Sequence, residues 1–275
     1  MISDITFGQY VEGDSIIHRL DPRAKIIMTV LYIVAIFLAK SVTAFALLLA
    51  VSVASIFMTG LSFRMVLRSM RSILFIIIFT AVINIFWMTG DTLLVQFWII
   101  KIYLEGIINA LMIVLRIVLL ITATSVFMTY TTTPLALTDA IESLLSPLKK
   151  LHVPVHEFSM MMTIALRFIP TLIDETQKII NAQTARGADF SSGNLIKRAK
   201  ALIPILIPLF VSAFRRADEL ATAMECRCYT GGEGRTRMNT LRSSAKDWIA
   251  VGLIVLLGAA VVLLNIFFPV YLMRF

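Results

Sequence analysis

Charged side chains are scarce in this sequence, and their scarcity excludes an ordinary soluble protein. Only 15% of the 275 residues are charged and 59% are hydrophobic, whereas a soluble domain has roughly a quarter of charged residues. A chain this apolar needs lipid around it, and backbone groups in lipid must form their hydrogen bonds within the chain. The composition therefore predicts an all-α integral membrane protein.

Cysteine and acidic residues are also few. The only two cysteines, Cys226 and Cys228, lie in a basic segment that we expect in the reducing cytoplasm, so no structural disulfide is predicted. The 17 acidic residues are outnumbered by 25 Lys and Arg, which gives a formal charge of +8. These basic residues lie in loops between apolar runs, which indicates cytoplasmic loops facing anionic lipid rather than nucleic-acid binding.

The sequence lacks the usual marks of an enzyme. Its glycine-rich stretch 231–236 has no phosphate-loop lysine, and the chain has neither a nucleophile elbow nor a carboxylate pair within the membrane. His152 and His156 are four residues apart, but Pro154 separates them and no third metal ligand is near. We therefore expect no catalysis, no ATP hydrolysis and no bound metal or other cofactor on this chain.

Five apolar runs are each predicted to form a spanning helix. The first three are shorter than the about 20 residues of a typical span, so they must recruit flanking residues or cross where the bilayer is thin. Arg116 lies inside the fourth run, where an unpaired charge costs about 2.5–3.5 kcal/mol, so we expect it to have a structural partner such as a loop carboxylate. The runs are Ile26 to Ala39, Ala44 to Met58, Ile73 to Met88, Gly106 to Thr129 and Trp248 to Met273.

The distribution of Lys and Arg predicts the topology. Residues 1–25 carry three, residues 59–72 carry three and residues 130–247 carry fifteen, whereas the alternate loops carry one each. Because basic loops resist translocation, the N-terminus is predicted inside and the C-terminus outside. Residues 1–129 then hold four membrane helices, 130–247 form a cytoplasmic or interfacial region, and 248–275 hold the last span.

Three weaker apolar stretches are ambiguous. Phe158 to Ile173 and Ala201 to Phe214 would raise the count to seven if they crossed as a hairpin. Each continues into a polar, helix-favouring tail, so we expect two long helices that lie partly in the interface and end in the cytoplasm. Leu93 to Leu104 is short and contains Lys101, and it is predicted to be an external loop.

Residues 155–229 contain an imperfect internal repeat. Each copy has an apolar helical half, a proline and an amphipathic half, and each ends in an arginine between two small or thiol residues. A glycine after the arginine can stop a helix in the left-handed conformation, so that the arginine projects from its last turn. Arginine is suited to bidentate capture of carboxylates, although such arginines also serve as topology anchors or helix-end charges. The two ends are Ala185, Arg186, Gly187 and Cys226, Arg227, Cys228.

Several specific motifs resemble the EcfT-type transmembrane subunits of energy-coupling factor importers. The resemblance covers essentially the whole chain and is closest from Thr133 to Gly234. It is carried by His18 to Lys25 (HRLDPRAK), Leu151 to Val155 (LHVPV), Ala165 to Pro170 (ALRFIP), Ala185 to Phe190 (ARGADF), the pair Arg216 and Ala217, and Ala223 to Tyr229 (AMECRCY).

The resemblance implies a complex with two cytoplasmic ABC ATPases and one substrate-binding membrane subunit, in a bacterial cell membrane. In this family two long coupling helices cross, and each ends in an Ala-Arg-Gly-type motif seated in an ATPase groove. Arg186 matches fully. At the second end cysteines replace the alanine and glycine, and a left-handed stop at Cys228 is expected to be unfavourable because cysteine has a Cβ.

The implied mechanism is mechanical. ATP and magnesium bind to the ATPases, whose movement shifts the seated helix ends and alters the surface offered to the substrate subunit. Met160, Met161 and Met162 are candidates for that surface because methionine is flexible, although methionines in an apolar helix are often simply core or lipid-facing. We expect vitamin or micronutrient uptake shared among several substrate subunits; the alternatives are a subunit dedicated to cobalt, nickel or biotin, and a stand-alone secondary transporter.

Overall fold

The computed structural model describes residues 10–71, 73–88, 92–97, 100–151, 153–188, 190, 194–231 and 243–267. Within these ranges the chain is predominantly helical, which confirms the predicted all-α class. Its contacts divide it into two compact units, one within Gly8–Ala140 and Leu241–Phe275 and the other within Ile141–Thr240. The predicted division at residues 129 and 247 stays a prediction.

The helices follow the predicted apolar runs. Three are long and apolar enough to cross a membrane: α2, α5 with the π-helical turn that extends it, and α9. The pair α3 and α4, bent by 69°, makes a fourth if it acts as one span, and α1 has 17 residues, so the count of five stays a prediction. The elements are α1 Pro22–Leu38, α2 Val42–Thr59, α3 Phe63–Arg71, α4 Leu74–Trp87, β1 Leu93–Phe97, β2 Ile100–Tyr103, α5 Leu104–Thr124, the π-helical turn Ser125–Thr129, α6 Pro134–Leu144, a 3₁₀ helix Ser146–Leu151, α7 Val155–Ala185, α8 Leu195–Cys226 and α9 Ala245–Phe267.

The segment predicted as an external loop is instead a β-hairpin. Strands β1 and β2 pair antiparallel, with Leu93 opposite Tyr103 and Phe97 opposite Ile100. The segment is rich in β-branched and aromatic residues, which favour strands. The loop prediction was wrong because it weighed only the fitness of this segment to span a bilayer.

Side chains from α5 and α9 hold the turn between α1 and α2. The Asn265 amide nitrogen donates to the Leu38 carbonyl at 2.7 Å, and its oxygen accepts the Lys40 backbone N–H at 3.1 Å. Arg116 Nη2 donates to the Ala39 carbonyl at 3.1 Å, and its guanidinium lies 5.5 Å from the centre of the Phe45 ring. A carbonyl at a helix C-terminus and an aromatic face therefore both contact this cation. The loop carboxylate that the sequence suggested for Arg116 stays a prediction.

The start of α1 is tied to the start of α9. Asp21 is the N-cap of α1, its carboxylate accepts the Arg23 N–H at 2.8 Å, and Pro22 opens the helix. The Asp247 carboxylate accepts the Asp21 N–H at 2.9 Å and the Ser244 N–H at 2.6 Å. Both carboxylates are buried, so the HRLDPRAK segment joins two helices that are far apart in sequence.

A buried lysine completes this cluster. Lys25 is 2% exposed, and its ammonium donates to the Thr131 carbonyl at 2.7 Å and to the His18 carbonyl at 3.1 Å. Thr131 follows the π-helical turn Ser125–Thr129, so its carbonyl lies at a helix C-terminus, where a cation is favoured. We call Asp21, Lys25, Thr131 and Asp247 the polar cluster.

In the other unit, α7 and α8 are continuous through their internal prolines, as the internal repeat predicts. They pack against each other, and Arg216 Nη2 donates to the Glu175 carboxylate at 2.7 Å. Near the end of α7, Gln183 donates to the Pro204 carbonyl at 3.5 Å. The later contact residue on α7, Gln183, thus meets the earlier contact residue on α8, Pro204. The two long helices therefore run antiparallel where they are in contact.

Candidate functional site: two matching helix ends

Helix α7 ends in a Schellman motif built around Gly187. This glycine has a φ of 87°, in the left-handed region. Its N–H donates to the Thr184 carbonyl at 2.9 Å, and the Ala188 N–H donates to the Gln183 carbonyl at 3.0 Å. These are the two bonds that define the motif, and they leave Arg186 as the C-cap residue, as the sequence predicts.

Helix α8 ends in the same motif, built around Cys228. This cysteine has a φ of 56° and is the one described non-glycine residue with a positive φ. Its N–H donates to the Glu225 carbonyl at 2.8 Å, and the Tyr229 N–H donates to the Met224 carbonyl at 3.0 Å. The prediction that Cys228 disfavours a left-handed stop was therefore wrong.

Two backbone hydrogen bonds offset the free-energy cost of the left-handed conformation at Cys228. A left-handed L-residue costs roughly 1–2 kcal/mol, while the two hydrogen bonds that close the motif contribute about 0.5–1.5 kcal/mol each. The Cys228 side chain is exposed, so it meets no packed neighbour that would raise the cost. The equivalence of the two helix ends therefore depends on backbone geometry rather than on an identical sequence.

Both motifs present their arginines freely. Ala185, Arg186 and Gly187 are exposed, and so are Cys226, Arg227 and Cys228. Neither guanidinium forms a hydrogen bond or ion pair with any described residue. Arg216, by contrast, is engaged by Glu175 within the helix pair.

The antiparallel arrangement separates the two arginines. Arg186 follows the end of α7, beside the beginning of α8, whereas Arg227 follows the far end of α8. Gln183 near the end of α7 contacts Pro204, and the 23 residue steps from Pro204 to Arg227 correspond to about 35 Å along the helix. The two ends are therefore too far apart to enter one groove, and they suit two separate sockets.

Replacing Cys228 with glycine should tighten the end of α8. Glycine adopts positive φ without a Cβ penalty, so we expect the Cys228→Gly variant to slow amide hydrogen exchange at Tyr229 by roughly fivefold, corresponding to relief of about 1 kcal/mol. Cys228→Val should accelerate it, because a β-branched residue tolerates this conformation least. Equal exchange rates in the parent and both variants would contradict the left-handed stop.

The three candidate methionines lie in the first half of α7. Met160 is half-buried, whereas Met161 and Met162 are 59% and 41% exposed. The exposed pair gives α7 an apolar, adaptable surface well before the arginine at its end. Their role stays a prediction.

The residues weighed for metal or phosphate binding are described only in part. Among the described residues, no group of three or more His, Cys, Asp or Glu is placed to hold a metal ion. His156 Nδ1 lies 3.0 Å from the Glu142 carboxylate, and His152 lies outside the described residues. The glycine-rich stretch 231–236 is described only at Gly231, which has a φ of 101°.

Two features of the structure escaped sequence reasoning. In the sequence, Lys25 is the last basic residue before the first apolar run, as a topology anchor would be. In the structure its side chain is buried in the polar cluster. The Glu175–Arg216 pair joins residues 41 apart, a separation at which no local spacing rule applies. The motif resemblance pointed to both segments but gave neither contact.

Comparison with known proteins assigns the chain to a family. Residues 13–238 match the family model CbiQ, described as cobalt transport protein. The chain is 53% identical over 268 residues to the energy-coupling factor transporter transmembrane protein EcfT of Ruminiclostridium cellulolyticum, covering 98% of this chain and 100% of the relative. It is 45% identical over 262 residues to the protein of the same name in Lactococcus lactis subsp. cremoris, covering 95% and 98% respectively. The chain thus belongs to the EcfT family, the transmembrane proteins of energy-coupling factor transporters.

Proposed function

We propose that this chain couples two cytoplasmic ABC ATPases to a substrate-binding membrane subunit, with the α7 and α8 ends each seated in a groove of one ATPase. The observation that carries the proposal is the pair of equivalent Schellman ends, each with an exposed arginine that has no ion-pair partner among the described residues. Two helix ends that expose an arginine in the same backbone geometry, at separate positions, suit the similar grooves of two ATPase subunits. The chain itself is then non-catalytic, and ATP and magnesium are bound by the partners.

The chemistry of each end suits such a socket. An arginine at a helix C-terminus is stabilised by the negative end of the helix dipole, and its planar guanidinium can bind a groove carboxylate through two parallel hydrogen bonds. The left-handed residue that follows turns the chain away, so the last helical turn can enter the groove. Charge and shape thus act together at Arg186 and Arg227.

The helix pair can transmit a displacement of its ends. The Glu175–Arg216 pair and the Gln183–Pro204 contact link α7 to α8 at two places along their lengths. Pushing one end therefore moves both helices rather than bending one alone. When the ATPases close on ATP, this movement changes the surface that the coupling unit offers to the substrate subunit.

The exposed methionines are our candidates for the contact with the substrate subunit. Met161 and Met162 present flexible, polarizable side chains that adapt to different partners, which favours a subunit shared among several vitamin- or micronutrient-binding subunits. The matching family model, described as cobalt transport protein, supports the alternative of a subunit dedicated to one solute, such as cobalt, nickel or biotin. A stand-alone secondary transporter is third, because no feature of the described helices specifically favours it.

Site-specific photo-crosslinking tests the seating of the two ends. A photoreactive residue at Ala185 or at Cys226 should crosslink to an ATPase in the assembled complex, because both positions adjoin the exposed arginines. The same residue at Leu111, which is 65% exposed on α5, should crosslink to lipid and not to an ATPase. Absence of ATPase crosslinks from both helix ends would refute the seating.

The native cysteines report the orientation that we propose for this bacterial membrane protein. Both are exposed and belong to the segment assigned to the cytoplasm. With the chain produced without the ATPases, a membrane-impermeant maleimide should label inside-out vesicles at least tenfold more than intact cells, because the bilayer excludes the reagent. A Lys40→Cys variant with serines at 226 and 228 should show the reverse; labelling of the native pair from outside would overturn the orientation.

A further inference from the structure

An apolar cleft opens on the surface of the unit formed by Gly8–Ala140 and Leu241–Phe275. Its volume is about 550 Å³, within the range of about 300–1,000 Å³ typical of small-molecule sites. It is lined by residues preceding and within α1, by α2, by the π-helical turn Ser125–Thr129 and by α9, including Leu20, Val51, Phe127, Leu253 and Leu257. Leu253 is 62% exposed, so the cleft is open along its side.

One end of the cleft carries a positive charge. Lys246, at the start of α9, lines the cleft and is exposed. None of the described carboxylates forms an ion pair with it. The neighbouring Asp247 points into the polar cluster instead, where it accepts the Asp21 N–H at 2.9 Å. The ammonium of Lys246 is therefore available at the mouth of an otherwise apolar cleft.

The charged end lies at one end of the helices, where a lipid headgroup would be found. The Asp21–Asp247 bond places the starts of α1 and α9 together, and the Asn265–Leu38 bond places their ends together. The cleft residues on α9 extend from Lys246 to Ala260, a rise of about 21 Å. A single leaflet of hydrocarbon is about 15 Å thick, so the cleft is long enough for a whole acyl chain.

The exposed ammonium at the mouth favours an occupant that is apolar along most of its length and carries an anion at one end. A single acyl chain, about as long as one leaflet is thick, can lie along such an apolar cleft. The combination of an apolar cleft and an exposed ammonium at its mouth matches a lipid tail joined to an anionic headgroup.

We propose that this cleft binds one anionic phospholipid, with an acyl chain along α9 and the headgroup phosphate on Lys246. The lipid covers apolar surface that the packing of α1, α2 and α9 leaves open. It also holds the start of α9 beside the polar cluster. This site is independent of the ATPase coupling proposed above. On the predicted topology, the lipid comes from the cytoplasmic leaflet.

Native mass spectrometry of the full-length chain in detergent tests the site. The chain is titrated with phosphatidylglycerol or with phosphatidylcholine of the same acyl chains. We expect one phosphatidylglycerol to be retained at about fivefold lower concentration than one phosphatidylcholine, because a lysine at the membrane surface contributes attraction of that size toward an anionic lipid. Lys246→Gln should remove this preference, whereas Lys40→Gln, an exposed lysine at the other end of the helices, should keep it.

A cleft-filling variant separates the tail from the headgroup. Ala250→Phe should weaken retention of both lipids while Lys246 is unchanged, and the comparison of the two lysine variants stands even if this variant fails to fold. Equal retention of both lipids by the parent, or an unchanged preference in Lys246→Gln, would overturn the proposal. A photoreactive residue at Leu253 that crosslinks to a membrane subunit or a second copy, and not to lipid, would also overturn it.

Discussion

Replacing both Arg186 and Arg227 with glutamate should abolish uptake, with a fall of at least a hundredfold in the rate of substrate accumulation. Removing one partner of a buried, hydrogen-bonded charge pair at an interface costs about 2–5 kcal/mol, and the variant reverses the charge at both helix ends. Each single variant should lose only several-fold, because the other end still holds one ATPase. The measurement is uptake of radiolabelled substrate by cells that express the complete transporter.

Lys178→Glu is the matched control for this prediction. Lys178 is an exposed cation on α7, in the same helix as Arg186 but before its terminal motif. Its variant should transport like the parent, and all variants should reach the membrane in equal amounts, because none of the three residues is buried. Normal uptake by the double variant would show that the two arginines are ordinary helix-end charges.

The second large effect is expected at Lys25. Lys25→Met keeps most of the side-chain volume but leaves the Thr131 and His18 carbonyls without their donor, and it removes a positive charge near the two buried carboxylates. A hydrogen bond that involves a charged group contributes about 1.5–3 kcal/mol, and Lys25 donates two, so we expect the free energy of unfolding to fall by about 3–5 kcal/mol. Denaturant unfolding of the purified chain in detergent measures it.

A second substitution tests the electrostatic part of this effect. In the Lys25→Met background, Asp21→Asn should recover about 1–2 kcal/mol, because it removes a buried charge that has lost its cation. Asp21 is suitable because its carboxylate accepts a hydrogen bond through only one oxygen, Oδ1, which an amide also supplies. Exposed Lys40→Met should change stability by less than about 0.5 kcal/mol. If Lys25→Met were equally mild, the polar cluster would have no part in stability.

The helices themselves were predictable from the sequence because lipid leaves the backbone few choices. Apolar runs must be helical where no water can satisfy the backbone, and α2, α5 and α9 follow those runs. The internal repeat predicted that α7 and α8 are long helices with internal prolines. The glycine at 187 predicted the end of α7, since glycine is the residue that adopts positive φ without a Cβ penalty.

Features that depend on contacts distant in sequence were not predictable. The stop at Cys228 was missed because residue type alone argues against it, while two backbone hydrogen bonds favour it. The contact of Arg116 with the carbonyl of Ala39 joins residues 77 apart in sequence, where no local spacing rule applies. The burial of Lys25 likewise depends on the Thr131 carbonyl, which follows the π-helical turn. The local pattern of charges in the sequence does not predict this contact.

Copurification from membranes tests the central claim most directly. The parent chain and the Arg186→Glu, Arg227→Glu variant are each coexpressed with the candidate ATPase subunits and isolated through a tag on this chain. We predict that the parent retains two ATPases and that the variant retains none, although it inserts into the membrane normally. A parent chain that retains no ATPase, or a double variant that retains both, would contradict the account.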